Sequence, residues 1–396
     1  MIRYNPPVPP VDYPSIWQIP GRRLWAFAWA AFFLVVINLL VAWMERDRGD
    51  AFTRFHYHVS YEEVRDVLDR IIADPRRKVV FLGGSVLWGT ATPDPARTVP
   101  GAFRALIPDD VVVYNLGMIG ARPLDVFLLA HQLRGHADAI IIDENYLFGE
   151  SLTRERLLRE PETYLRIRQL LYTHNGDFFA AVPEAHACFV RYEAPLPSAL
   201  SFGEARLQAL TERWIPLLHY KDRLNDRLFG QHPLLLADRF LLDGGDVLRG
   251  KQSIALLLRP PEERMNIQPW KKTDPVDAAY VHRYEHMRFT GREFLDCLSR
   301  ALTTSAAVAH LPILLYVTPK NPGMFPHLQG TPVHAHNIRS LLSLFTGLRA
   351  VSLDDGSIPA DHFADATHLT PEGNALLAHK ILDAFRPDLR RFGVLP

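Results

Sequence analysis

Apolar positions along this chain fall into two regimes. Residues 24–44 (LWAFAWAAFFLVVINLLVAWM) form one run without a charge, long enough to cross a bilayer as a helix. Trp25, Trp29 and Trp43 lie near its ends, where interfacial aromatics are favoured, and Asn38 is its strongly polar member, suited to hydrogen bonding with a partner helix. No small-x-small cleavage site follows Met44, which argues against a removed signal peptide. Arg22 and Arg23 precede the run, whereas Arg46 and Arg48 follow it mixed with Glu45 and Asp47. The short Arg-flanked arm favours a cytoplasmic N-terminus, with the remainder of the chain facing outward. Before the span, Pro6, Pro7, Pro9, Pro10, Pro14 and Pro20 exclude a helix and predict an extended arm over residues 1–23.

Beyond the span the runs become short and alternate in period. Val64, Val67, Leu68, Ile71 and Ile72 recur at helical spacing, predicting a helix over residues 52–73 that Pro75 stops. Residues 79–82 form a buried strand closed by Gly83-Gly84-Ser85. A short helix over 103–106, a strand over 111–114, a helix over 124–133 and a strand over 139–142 follow. This alternation predicts βαβ units, a parallel sheet and helices on both faces. From about 150 to 275 the regularity lapses into an insertion with helical patches at 153–172 and 203–228. The α/β pattern returns with a helix over 283–301, a strand over 313–317, a helix over 335–344 and a short strand over 351–353. A final helix runs through Phe385, with Thr370-Pro371 as its cap and first residue. The expected architecture is an α/β three-layer αβα sandwich around a central parallel sheet, in a domain over 78–396. A juxtamembrane segment, 45–77, precedes it.

Composition narrows the functions further. Lys and Arg number 44, as do Asp and Glu, so no net charge points to nucleic acid. The two cysteines, Cys188 and Cys297, exclude a disulfide framework and a Cys-based metal site, and leave open whether they pair.

The polar residues at predicted strand ends carry the chemistry. Ser85, Gly120, Asn145 and the pair Asp365-x-x-His368 follow successive strands, where open α/β sheets bind their ligands. Serine becomes a nucleophile when an imidazole takes its proton and a carboxylate holds that imidazole in the right tautomer. Ser85, His368 and Asp365 supply those three types. An oxyanion needs preorganised donors, for which the N–H groups of Ser85 and Gly120 and the Asn145 amide are candidates. Trp214, Trp270, Lys271, Lys272 and Tyr280 in the insertion are candidates for a sugar-binding groove.

The order Ser, Gly, Asn, Asp-x-x-His resembles the SGNH (GDSL-type) hydrolase superfamily. GGSV at 83–86 stands where that family has GDSL, NLGMIG at 115–120 resembles its second block, and DATHLTPEGNALLA at 365–378 its last. Gly84 replaces the first-block aspartate, while Asp143 and Tyr146 replace the glycine and second aspartate of the third. A membrane anchor ahead of such a domain also resembles the DltD and AlgX/AlgJ-like polysaccharide O-acetylation proteins. That resemblance implies a serine acyltransferase or esterase in the bacterial inner membrane, single-pass, with its globular domain facing the periplasm or exterior. It implies action on O-acyl groups, above all O-acetyl groups, of a cell-envelope or exported polysaccharide, beside a membrane-bound O-acyltransferase and with no metal or organic cofactor. The alternatives are an esterase with water as acceptor and a non-catalytic assembly protein that retains the fold.

Overall fold

The computed structural model describes residues 22–46, 54–55, 59, 61–121, 123–144, 170, 178–192, 207, 210–211, 214–219, 269–271, 281–282, 285–286, 293–304 and 312–396. The chain divides into two compact units, one of Met1–Asp50 with Thr211–Lys221 and one of Ala51–Leu210 with Asp222–Pro396. The predicted arm up to residue 21, Asn145, Lys272, Tyr280 and most of the helical patches at 153–172 and 203–228 lie outside the described residues, while Arg22 and Arg23 open the first helix.

The larger unit is built on strands β1 (Arg77–Gly83), β2 (Val111–Gly117), β3 (Ala139–Glu144), β4 (Ile313–Val317) and β5 (Arg349–Ser352). They form one sheet in the order β2-β1-β3-β4-β5, every neighbouring pair parallel. The described helices, in chain order across both units, are α1 (Arg22–Arg46), α2 (Tyr61–Ala73), α3 (Ser85–Trp88), α4 (Val99–Arg104), α5 (Pro123–Gln132), α6 (Phe178–Ala181), α7 (Pro183–Arg191), α8 (Pro216–His219), α9 (Glu293–Thr304), α10 (Pro332–Ser343) and α11 (Pro371–Arg391).

Successive strand side chains point to opposite faces, and here both faces are buried. Val80, Leu82, Ile140, Ile142, Leu315 and Val317 pack with Leu68 of α2, Phe127 of α5 and Leu341 of α10. Val79, Phe81, Ile141, Leu314 and Tyr316 pack with Phe103 of α4 and with Leu377, Ile381 and Phe385 of α11. Burial on both sides is why these strands read as unbroken apolar runs, and it produces the three-layer αβα sandwich. The order reverses between β1 and β3, which lie side by side in the sheet, and that opens a crevice at their carboxyl ends.

Several boundaries differ from the sequence reading. β2 and β3 continue past Tyr114 and Ile142 to Gly117 and Glu144, so Asn115 and Asp143 belong to strands. The first helix of this unit begins at Tyr61 and not at 52, because Arg54 and Phe55 form a non-helical strap over Trp88. The Trp88 Nε1–H donates to the Phe55 carbonyl at 2.8 Å, and the Arg54 guanidinium lies 4.3 Å from the Trp88 ring. The last helix continues through Pro387 to Arg391, with fully buried Leu389 beyond the proline holding its final turn. Cys188 of α7 and Cys297 of α9 are joined in a disulfide, which the sequence left open.

In the smaller unit, α1 is long and apolar enough to cross a membrane over Trp25–Trp43, with a mean hydropathy of 2.3. Its apolar side chains are mostly exposed, among them Trp25, Phe27, Leu39 and Trp43. The polar group of Asn38 meets its own chain: Oδ1 accepts from the Leu217 N–H at 2.9 Å, and Nδ2 donates to the Leu34 carbonyl at 2.7 Å.

Candidate active site

Ser85 opens the short helix α3 directly after β1. The turn requires two close backbone approaches that only glycine permits. A Cβ on Gly83 would lie 2.7 Å from Asp143 Cβ, and one on Gly117 would lie 2.5 Å from the Trp88 nitrogen. Asn115, buried in β2, ties the two elements together: its Nδ2 donates to the Leu87 carbonyl at 2.8 Å, and its Oδ1 accepts from Gly117 N–H at 3.0 Å. Asn374 in the first turn of α11 donates to Thr92 Oγ1 at 2.7 Å and to the Arg97 carbonyl at 3.1 Å, fixing the loop that follows α3.

His368 and Asp365 sit in the loop that leads into α11. An antiparallel bridge between Phe363 and Leu369 and a bond from Ala364 N–H to the His368 carbonyl at 2.8 Å close that loop on itself. Thr370 caps α11 by accepting from Gly373 N–H, as its sequence predicts. The tertiary fold brings Ser85 to this loop across 283 residues of sequence, with His368 Nε2 2.8 Å from Ser85 Oγ. His368 Nδ1 is 2.6 Å from Asp365 Oδ2. An ionised carboxylate only accepts, so Nδ1 carries the ring proton and Nε2 is the acceptor for the serine hydroxyl. Asp365 Oδ1 accepts the backbone N–H groups of Thr367 and His368, both at 2.9 Å. Burial works against the Asp365 charge, but the His368 hydrogen bond and the two amides outweigh it and hold the carboxyl below its ordinary value.

The segment after β4 braces this arrangement, and sequence reasoning assigned it no role. Asn321, fully buried, donates from Nδ2 to the Asp365 carbonyl and from its own N–H to the Ala366 carbonyl, each at 3.0 Å. Its Oδ1 accepts from Gly323 N–H at 2.9 Å and Met324 N–H at 3.3 Å. Three residues earlier, Thr318 donates its hydroxyl to Asp143 Oδ1. Asp143 is buried at the end of β3 against Gly83. Burial raises its carboxyl to about 6, despite the Thr318 bond and the positive field of Lys320. Lys320 is itself buried, which pulls its ammonium down. Its Nζ donates to the Thr318 carbonyl and lies 3.8 Å from Asp354.

Of the other candidates, Gly120 lies in the turn after β2 with a φ of +73°, and among the described residues no hydrogen bond joins it to the triad. Asn145 lies outside the described residues. Trp270 is joined to the triad loop, its N–H donating to the Phe363 carbonyl at 2.6 Å. Its ring covers Gly323, where a Cβ would come within 2.4 Å of it. Trp214 belongs to the other unit. Among the described residues no group of three or more His, Cys, Asp or Glu side chains is placed to hold a metal ion.

No protein-family model and no curated protein matches the chain. Among solved structures it is similar to a carbohydrate acetylesterase family member from Sinorhizobium meliloti, 13% identical over 80% of this chain and 98% of that one, at a TM-score of 0.28.

Proposed function

We propose that the chain is a membrane-anchored serine acyltransferase or esterase of the SGNH kind, acting on O-acyl groups of a carbohydrate polymer outside the cytoplasmic membrane. The observation that carries this reading is the continuous relay from Ser85 Oγ to His368 Nε2 and from His368 Nδ1 to Asp365. In the first half-reaction Ser85 Oγ attacks the acyl carbonyl while His368 Nε2 takes the hydroxyl proton, and Asp365 stabilises the imidazolium that forms. Collapse of the tetrahedral intermediate expels the leaving alkoxide, to which His368 returns the proton. The second half repeats these steps with a sugar hydroxyl or water as acceptor and frees Ser85. The Ser85 N–H, at the first turn of α3 without an intrahelical acceptor, is a donor suited to the oxyanion, with Gly120 and Asn145 as the remaining candidates.

Placement outside the cytoplasm draws on two features. The helix over Trp25–Trp43 suits an anchor, and the Cys188–Cys297 disulfide suits an oxidising compartment. The carbohydrate substrate, the acetyl group and the membrane-bound O-acyltransferase partner rest on the sequence resemblance.

A fluorophosphonate probe tests the reading. The expected result is labelling of the wild type that disappears in Ser85→Ala and His368→Ala. Failure of the wild type to label across neutral and alkaline pH would overturn catalysis and leave an assembly protein. Product analysis with an acetylated glycan donor and a glycan acceptor then separates transfer from hydrolysis.

A further inference from the structure

The smaller unit contains a second apolar element beside α1. Its sequence, Trp214-Ile215-Pro216-Leu217-Leu218, is flanked by Glu212-Arg213 on one side and His219-Tyr220-Lys221 on the other. Trp214 is 76% exposed and Leu218 37%, which is costly for an indole and an isobutyl group in water. The backbone is equipped for a different solvent. The Ile215 N–H donates to the Thr211 carbonyl and the Leu218 N–H to the Ile215 carbonyl, both at 2.9 Å. Pro216 has no N–H, and the Leu217 N–H, an orphan donor at the start of α8, is taken by Asn38 of α1. Every backbone donor from Ile215 to Leu218 is therefore absent or bonded within the chain, as hydrocarbon demands.

Asn38 also sets the depth of this element. It precedes Trp43, the end of the apolar span, by five residues, which at ~1.5 Å per residue puts it about 7 Å inside that boundary. Interfacial helices bury their apolar faces by about 5–10 Å. The contact also falls in the half of the span nearer its C-terminal end, the end from which the rest of the chain leaves.

We propose that Trp214–Leu218 is a second membrane element, seated in the outer leaflet against α1 and capped there by Asn38, so that the bilayer is what covers its apolar face. This part of the insertion is then held in the lipid directly beside the N-terminal anchor. The proposal rests on the reading of α1 as a membrane span.

Nitroxide labelling of the full-length protein in phosphatidylethanolamine/phosphatidylglycerol vesicles tests it, with the native disulfide left oxidised. Single cysteines replace Trp214, Leu218, Leu34 within α1, or Asp109, whose side chain is fully exposed in the larger unit. The expected result is that labels at 214 and 218 relax with oxygen and resist a water-soluble nickel chelate, as the label at 34 does, while 109 shows the reverse. Asn38→Leu should shift the 218 label toward the aqueous pattern without moving the label at 34. Aqueous behaviour at 214 and 218 with lipid behaviour at 34 overturns the proposal and spares the anchor. Aqueous behaviour at 34 overturns the span itself, and an unmoved 218 label in Asn38→Leu overturns the capping role.

Discussion

Asp365 and Asp143 are both held by the short segment that follows β4, yet their surroundings differ in kind. Asp365 is half-exposed in a loop and accepts from an imidazole and two backbone amides. Asp143 is buried at a strand end, pressed against Gly83, with the Thr318 hydroxyl on one oxygen. The first environment favours the ion and the second opposes it, so one carboxyl lies below its ordinary value and the other is raised to about 6. The carboxylate bonded to the histidine is surrounded by donors. The one packed under the Ser85 turn accepts the Thr318 hydroxyl, and its burial favours the neutral form.

The strongest way to break the contrast is Asp365→Asn. An amide in that place favours the wrong histidine tautomer, and turnover of p-nitrophenyl acetate should fall on the order of 10⁴-fold with the fold retained. A fall of less than tenfold would remove Asp365 from the relay.

The next effect is on stability. The Asp143 carboxyl ordinarily titrates at 3.8 and is raised in the folded state, so the native protein binds its proton more tightly than the unfolded chain does. Its contribution to stability is therefore present below pH 3.8, declines as pH rises, and is fully lost above about 6. Asp143→Asn removes that titration, and its stability relative to wild type should rise between pH 4 and 6 by on the order of 2 kcal/mol. Asp365 has the opposite sign, contributing at neutral pH and losing its contribution only as pH falls below its ordinary 3.8. Denaturant melts of the Asp143→Asn protein at several pH values check this, and a gap that does not vary with pH would contradict it.

Asn321→Ala probes the brace between the two carboxylates. It leaves the Asp365 carbonyl and the Gly323 and Met324 N–H groups without their partner, which costs about 1–3 kcal/mol. Fluorophosphonate labelling should slow about tenfold as the triad loop loosens, while the probe's pH dependence stays that of the wild type. The smallest effect belongs to Thr370→Ala, which removes the α11 cap at a cost of about 1 kcal/mol in a thermal melt. Labelling of Ser85 should be nearly unchanged, since the Phe363–Leu369 bridge still closes the loop.

The parallel strands were legible in sequence because helices cover both faces, leaving Val79–Leu82 and Ala139–Ile142 without a polar interruption. Ser85, Asp365 and His368 were legible because their types and order match one chemistry. Asn321 and Thr318 were not, since an asparagine or threonine after a strand reads as a turn residue until the carbonyl or carboxylate opposite it is known. In the sequence Asp143 reads only as a departure from a motif. Its raised carboxyl is a property of the carbon packed around it, which comes from β1 and β4. Phe55 falls inside a helix that the spacing of Val64, Val67, Leu68, Ile71 and Ile72 predicts over 52–73, but in the fold it precedes that helix and its carbonyl accepts from the Trp88 indole.

Local patterning by itself determined where the chain turns apolar, which segments repeat at the strand or helix period, and which side chains are of the types that could serve as acid, base and nucleophile. Those follow from each residue's own chemistry and from its near neighbours. Only the tertiary structure decided that Ser85 and His368 meet, that Cys188 finds Cys297, and that Asn38 serves Leu217 in its own chain. Each of those pairings depends on two distant segments reaching hydrogen-bonding or covalent distance, and no local period records that distance.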